Sequence, residues 1–223
     1  MHIPDGFLAP EVFLPLDGLA VAAVGLAATR ASRRVDEERH VPLLGVCGAF
    51  VFAAQGLNFP LPGATSGHVL GAALAGILLG PAGAVLVLAA VLIVQAVLFG
   101  DGGLLALGAN ITNMALLGGV VGSFAYRAIG AVGRKAGVSP AAYAGTVRRS
   151  AAFVAAWLSV VLSSAACALE LVVSNATVFP PAVALPAMIG PHLLIGVAEG
   201  VVTVAALELI AKARPDLLEL EKL

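Results

Sequence analysis

Charge is what this sequence has least of. Only 11% of its 223 residues are Asp, Glu, Lys or Arg, against 60% hydrophobic residues. A soluble domain carries about 25% charged residues, and a soluble fold of this size could not hide so much apolar surface. Twelve basic and 13 acidic residues leave a formal net charge of -1, so no basic face offers itself to nucleic acid. Cysteine is nearly absent too. Cys47 and Cys167 each lie in an apolar run and read as small buried hydrophobes, not as a disulfide or a metal pair. No G-x-x-x-x-G-K-[ST] loop is present, so ATP hydrolysis has no place in this chain. Ser163-Ser164 has no histidine nearby in the sequence, which leaves a membrane enzyme without a nucleophile, acid and base. The opening Met1-His2-Ile3-Pro4-Asp5 lacks the basic start of a secretory signal, so no detachable leader is expected.

The apolar residues come in long runs. Val41 to Leu57, Val69 to Gly100 and Leu104 to Tyr126 carry no Lys or Arg, and only Asp101 interrupts the acid-free stretch between the last two. Such lengths match about 30 Å of hydrocarbon at 1.5 Å per residue. The spacing predicts an all-α polytopic membrane protein, one transmembrane domain over 1–223, with seven helices near 12–30, 41–58, 67–79, 82–99, 104–130, 146–172 and 187–211. Gly80-Pro81 supplies the break between the third and fourth. The tail after Lys212 reads as a short amphipathic end.

Orientation follows from charge. Arg30, Arg33, Arg34 and Arg39 lie between the first two helices, Arg127, Arg134, Lys135, Arg148 and Arg149 between the fifth and sixth, and Lys212, Arg214 and Lys222 after the seventh. Seven spans put all three clusters on the cytoplasmic side, with the N-terminus outside and the C-terminus inside. The outer side then holds only acidic charge: Asp5, Glu11, Asp17 and Asp101. That rim is either a lure for cations or a set of ordinary solvated termini. Small-residue stripes, Gly67-x-x-x-Gly71, Ala72-x-x-x-Gly76-x-x-x-Gly80 and Ala23-x-x-x-Ala27, let helices approach closely, for internal packing before any partner.

His2 is the most informative residue. A free terminal amine, the deprotonated amide nitrogen of residue 2 and the imidazole Nδ1 close two fused chelate rings in one plane. A fourth nitrogen completes a square-planar site, a geometry that points to Ni(II) or Cu(II) with Co(II) a close competitor. The other reading is a disordered first turn with an incidental histidine. His68 follows a Pro- and Gly-rich loop, with Thr65 or Ser66 placed to cap a helix that would hold His68 in its first turn, at the outer end. A helix N-terminus would also keep the ring neutral. His68 is thus the natural fourth ligand. His40, beside a basic loop, reads as a surface residue. His192, after Gly190-Pro191, could be a ligand, a donor to one, or a packing residue; a structural hydrogen bond is favoured. Gln95, Asn110, Asn113 and Glu199, with Glu170 and Glu208 less clear, are costly inside apolar runs. Their default role is helix-to-helix hydrogen bonding, and the sharper one is holding the loops that bind metal.

These residues carry a resemblance. Met1-His2-Ile3-Pro4-Asp5-Gly6-Phe7-Leu8, Gln55, Asn58-x-Pro60 and Thr65-Ser66-Gly67-His68-Val69-Leu70-Gly71 are similar to blocks of the CbiM/NikM family, the membrane subunits of cobalt/nickel energy-coupling-factor (ECF) importers. So are Gln95-Ala96-x-x-Phe99-Gly100-Asp101-Gly102-Gly103, Leu107-Gly108-Ala109-Asn110, Asn113-Met114 and Pro191-His192-x-x-Ile195-Gly196-x-x-Glu199. Ala64 departs where a second glycine is frequent. Many members assigned to cobalt have Met-Glu where this chain has Pro4-Asp5, and the Pro-Asp form is the one associated more with nickel.

The resemblance implies an S-component-like bundle in the bacterial or archaeal cytoplasmic membrane, serving nickel or cobalt transport and, for cobalt, cobalamin biosynthesis. It implies a planar cage from the Met1 amine, the His2 amide and imidazole, and His68, with Ni2+ or Co2+ as cargo rather than as a cofactor. It also implies partners: a transmembrane coupling (T) subunit, two cytoplasmic ATPases and a small accessory membrane subunit. His192 and Glu199 are expected to support fold or coupling without touching the metal. A secondary permease driven by protons or sodium is the alternative, but it needs carboxylates along a pathway and inverted repeats. Only Glu170, Glu199 and Glu208 are available, and no repeat is visible.

Overall fold

A helix in hydrocarbon satisfies its own backbone, so long apolar runs become helices. The computed structural model describes residues 1–32, 37–56, 59–61 and 65–222, without the side chains of 37–40, 59–61, 65–66 and 219–222. The side chain of His40 and all of Asn58 lie outside the described residues. Six helices are present among those described: α1 (Pro10–Ser32), α2 (Glu37–Gln55), α3 (Ala72–Phe99), α4 (Leu107–Lys135), α5 (Pro140–Ser174) and α6 (Pro181–Ala213). All but α2 are long and apolar enough to cross a membrane, and α2 has a shorter apolar stretch, Val41–Gln55. Pro10 opens α1 where no helical N–H is needed, with Glu11 in the first turn and Arg30 in the last, as the helix dipole favours. A 3-10 turn, Pro215–Lys222, follows α6.

α3 is broken where the sequence places a break. Gly80 has φ 74° and ψ 175°, and Pro81 follows it. The two halves run opposite ways along α2. Gly71 abuts Val51 ahead of the first half, while beyond the break Leu44 sits over Gly83, Val87 over Gly48 and the Phe52 ring against Phe99. The expected third and fourth helices, 67–79 and 82–99, thus fall within the single element α3, on either side of this break, where seven separate helices were expected and six are described. Close packing comes from the small residues: a Cβ on Gly76 would stand 2.6 Å from the Gly119 carbonyl oxygen on α4. That stripe serves contact within the bundle.

Three boundaries differ from expectation, each for a local reason. The third helix starts at Ala72 rather than 67, because Thr65–Gly67 forms a strand antiparallel to Phe59–Leu61, with Phe59 opposite Gly67. Gly71, at φ 72°, turns the chain into α3 and stands as its N-cap in place of Thr65 or Ser66. His68 therefore precedes the helix and is not in its first turn. The polar stretch Arg127 to Arg149 is mostly helical: Ser139 accepts a hydrogen bond from the Ala142 N–H and Pro140 starts α5. α6 begins at Pro181 and absorbs Pro186 and Pro191. Widened turns at Gln95–Phe99 and Ile111–Gly118 present Gln95 and Asn113 to the interior, as such turns often do at functional sites.

Candidate metal centre

The amino terminus runs into the bundle as an irregular strand, which membrane depth permits only where protein satisfies the backbone. Asn110 on α4 does so at Ile3. Its Oδ1 accepts from the Ile3 N–H (2.8 Å) and its Nδ2 donates to the Ile3 carbonyl (3.1 Å). The Gly103 N–H also donates to that carbonyl, at 2.9 Å. Asp5 caps the turn before α4, accepting from the N–H groups of Leu104 (3.1 Å), Leu105 (2.8 Å) and Ala106 (3.3 Å). Met1 is fully buried, and its carbonyl lies 3.8 Å from Cys167 Sγ on α5.

The loop bearing His68 is held from the other side. Glu199 on α6, itself buried, accepts from the Leu70 N–H (2.7 Å) and the Gly71 N–H (2.6 Å). Gln55 Nε2 donates to the Leu70 carbonyl at 2.8 Å. Asn113 donates to Glu170 (2.7 Å), while Ser163 Oγ donates to the Asn113 carbonyl (2.8 Å).

Two rings meet between these supports. His2 and His68 stack with centroids 4.8 Å apart and planes inclined by 26°. His68 has no exposed surface and His2 only 4%. His2 Nε2 donates to Gln95 Oε1 at 3.1 Å, which leaves a lone pair on Nδ1. That Nδ1 lies 3.3 Å from Asp101 Oδ1 yet makes no hydrogen bond. His68 Nδ1 donates to its neighbour's carbonyl, Val69, at 2.8 Å, because a carbonyl can only accept. Its Nε2 therefore holds the lone pair, and it too is buried without a hydrogen-bond partner. A hydrogen bond on one ring nitrogen that frees the other is how metal-binding histidines are oriented.

The surroundings also lower the proton affinity of these nitrogens. Burial pushes the Met1 amine from 8.0 down to about 6, against the opposing pull of Cys167 and Asp101. His2 falls from 6.5 to about 4, by burial first and the amine's charge second, while Asp101 and Gln95 oppose. His68 lies well below its ordinary 6.5, through burial, then the amine, His2 and His192. Burial first, and then the repulsion a second proton would meet from the amine, His2 and His192, replace the helix-dipole effect expected for His68.

His192 is fully buried, and its Nδ1 donates to the Met188 carbonyl at 2.6 Å, the structural bond expected of it. Among the described residues, no three His, Cys, Asp or Glu side chains form a metal-holding group. A site here would need the amine and backbone nitrogen as well. The sequence reading missed Cys167 beside the Met1 carbonyl and Asp5 at the start of α4. An intramembrane carboxylate was singled out at Glu199, but nothing local marked Leu70 and Gly71 as its partners.

A polytopic helical bundle with two stacked, buried histidine rings at its amino-terminal end has the form of a membrane transport subunit. The family model "Cobalt uptake substrate-specific transmembrane region" matches residues 2–217, and the chain belongs to that family. It is 42% identical over 218 residues to a Haloquadratum walsbyi protein named for metal transport, covering 97% of this chain and 93% of that one. It is 36% identical over 236 aligned positions to the fused nickel transport protein of Rhodobacter capsulatus (98% and 64% covered). Identity to the cobalt transport protein of Sorangium cellulosum is 32% over 222 residues (98% and 95%). A crystal structure of a truncated transition metal transporter superposes with a TM-score of 0.82 at 31% identity, over 95% of this chain and 99% of that one. The protein is thus a multi-pass, substrate-specific membrane subunit of the cobalt/nickel ECF type, a transport component and not an enzyme.

Proposed function

We propose that this chain captures one Ni2+ or Co2+ ion at the outer face of the cytoplasmic membrane and hands it inward. The ligands are the Met1 amine, the His2 amide nitrogen and Nδ1, and His68 Nε2, arranged in a plane. One observation carries this reading: the two stacked rings each keep a lone pair free on the nitrogen the cage requires, beside the buried terminal amine. The chain acts as one transmembrane unit over 1–223 with seven crossings, the reversal at Gly80 separating the third from the fourth. The N-terminus faces outward and the basic clusters inward. Delivery uses a T subunit, two cytoplasmic ATPases and a small accessory membrane subunit, since this chain has no nucleotide loop. Relatives named for nickel and for cobalt match alike, and both ions accept four nitrogens in a plane.

The test is a Gly-Pro dipeptide placed before Met1. A single glycine would not serve, because it makes His2 the third residue and lets the new amine, two amide nitrogens and the imidazole close a planar four-nitrogen set of their own. The dipeptide adds no charge and alters no side chain. It turns the Met1 amine into a peptide nitrogen, and the proline nitrogen, which has no hydrogen to lose, keeps the new amine out of the chelate. Calorimetric Ni(II) and Co(II) affinity should fall by about a hundredfold or more, on the order of losing two chelate donors, and the planar Ni(II) absorption should vanish. Unchanged affinity would make ordinary side-chain ligation by His2 and His68 the better account.

A further inference from the structure

His192 has a feature that a structural hydrogen bond does not explain. Its Nδ1–H is committed to Met188, so its Nε2 carries a lone pair, and that nitrogen is buried with no hydrogen-bond partner. A buried polar nitrogen left without a partner is costly. His68 Nε2 is in the same state, oriented in the same way by a backbone carbonyl. Helix α6 brings both residues to one side of the bundle: Glu199, seven residues and about two turns from buried His192, accepts from Leu70 and Gly71, just after His68. His68 itself stacks on the His2 ring.

Contacts along α5 give the direction. The Met1 carbonyl lies at Cys167, whereas the Leu193 carbonyl accepts from Trp157 Nε1 at 3.1 Å. Trp157 is ten residues nearer the end of α5 that carries Arg148 and Arg149, about 15 Å at 1.5 Å per residue. His192, adjacent to Leu193, therefore lies inward of the terminus. We infer that His68 and His192 form a second, inner station for the ion, joined through their Nε2 atoms, which takes the cargo after the Met1–His2 chelate lets go. Two imidazoles suit Ni(II) and Co(II) but hold them more loosely than a fused chelate, as an ion in transit requires.

This inference rests on the proposed cage, and the experiment separates the two. Ni(II) is titrated by calorimetry and absorption into the purified full-length chain, the Gly-Pro-extended chain, and extended chains carrying His192→Gln or His68→Ala. The extended chain should keep one weak, non-planar site. Either substitution should weaken that remainder by about tenfold or more, the scale of one ligand's loss. In the unextended chain His192→Gln should leave one planar ion with affinity changed less than about threefold, which also shows that the variant folds. A remainder that His192→Gln leaves unaltered, or no remainder at all, would overturn the inner station and leave the cage standing. Undiminished binding by the extended chain would overturn the cage and the station with it.

Discussion

Residues 1–3 and helix α1 are neighbours in sequence and opposites in environment. Met1, His2 and Ile3 form no regular structure and are buried. α1 is a regular 23-residue helix that buries only Ala20 and Ala27, and its Val21 is 74% exposed. In water the expectation would be reversed. In a bilayer a helix can face lipid because its backbone is closed, whereas an irregular strand must be wrapped in protein that answers each N–H and C=O. Ile3 is answered by Asn110 and Gly103, and the turn near Asp5 by a carboxylate. The terminal strand therefore reaches depth by polar partners for its backbone together with apolar packing of the Met1 and Ile3 side chains.

The contrast is broken most severely at Asn110. Asn110→Leu keeps the volume roughly constant and removes both Asn110 hydrogen bonds, stranding the Ile3 N–H while Gly103 still holds the carbonyl. A stranded backbone group costs about 1–3 kcal/mol, and the strand that carries His2 is the part loosened. Ni(II) affinity by calorimetry should fall by about tenfold to a hundredfold, with the helical circular dichroism unchanged. Affinity within twofold of the parent would mean that Asn110 does not hold the terminus.

Gly76→Ala should come next, through packing alone. The added methyl meets the Gly119 carbonyl oxygen at 2.6 Å and Ser123 at 3.2 Å, so α3 and α4 must part. Overpacking of this kind costs about 1–3 kcal/mol. Thermal unfolding in detergent should shift downward by several degrees, while the bound-metal stoichiometry of the folded fraction stays at one. A neutral result would show that the stripe is not in tight contact.

Much of this was legible in the sequence, and what was not has a common cause. The apolar runs, the break at Gly80-Pro81, and His2 with His68 as a pair all depend on local composition or on a fixed side of the membrane. The placement of His68 outside α3 was not legible. It depends on the pairing of Thr65–Gly67 with Phe59–Leu61 and on Glu199 reaching Leu70 and Gly71 from a helix 128 residues away. No periodicity in the loop records a partner so distant. Cys167 was read as a small hydrophobe, which its burial supports; its contact with the Met1 carbonyl depends on where the terminus inserts. The widened turn at Gln95 is likewise invisible to a 3.6-residue pattern.

The smallest effect is expected at Val21, where the other half of the contrast is tested. A buried valine cut to alanine loses transfer energy and leaves a cavity. Val21 is 74% exposed, so the shortened side chain leaves no cavity in protein, and lipid tails fill the space it vacates. Little transfer energy is lost, because the valine already faced an apolar solvent. Alanine is also the better helix former by a few tenths of a kcal/mol. The two terms nearly cancel, and Val21→Ala should lie within about 0.5 kcal/mol of the parent. Thermal unfolding and Ni(II) calorimetry should both be unchanged. A loss of stability comparable to that of Gly76→Ala would mean that α1 buries this face against protein, and that the helix and the strand before it are less different than their surroundings indicate.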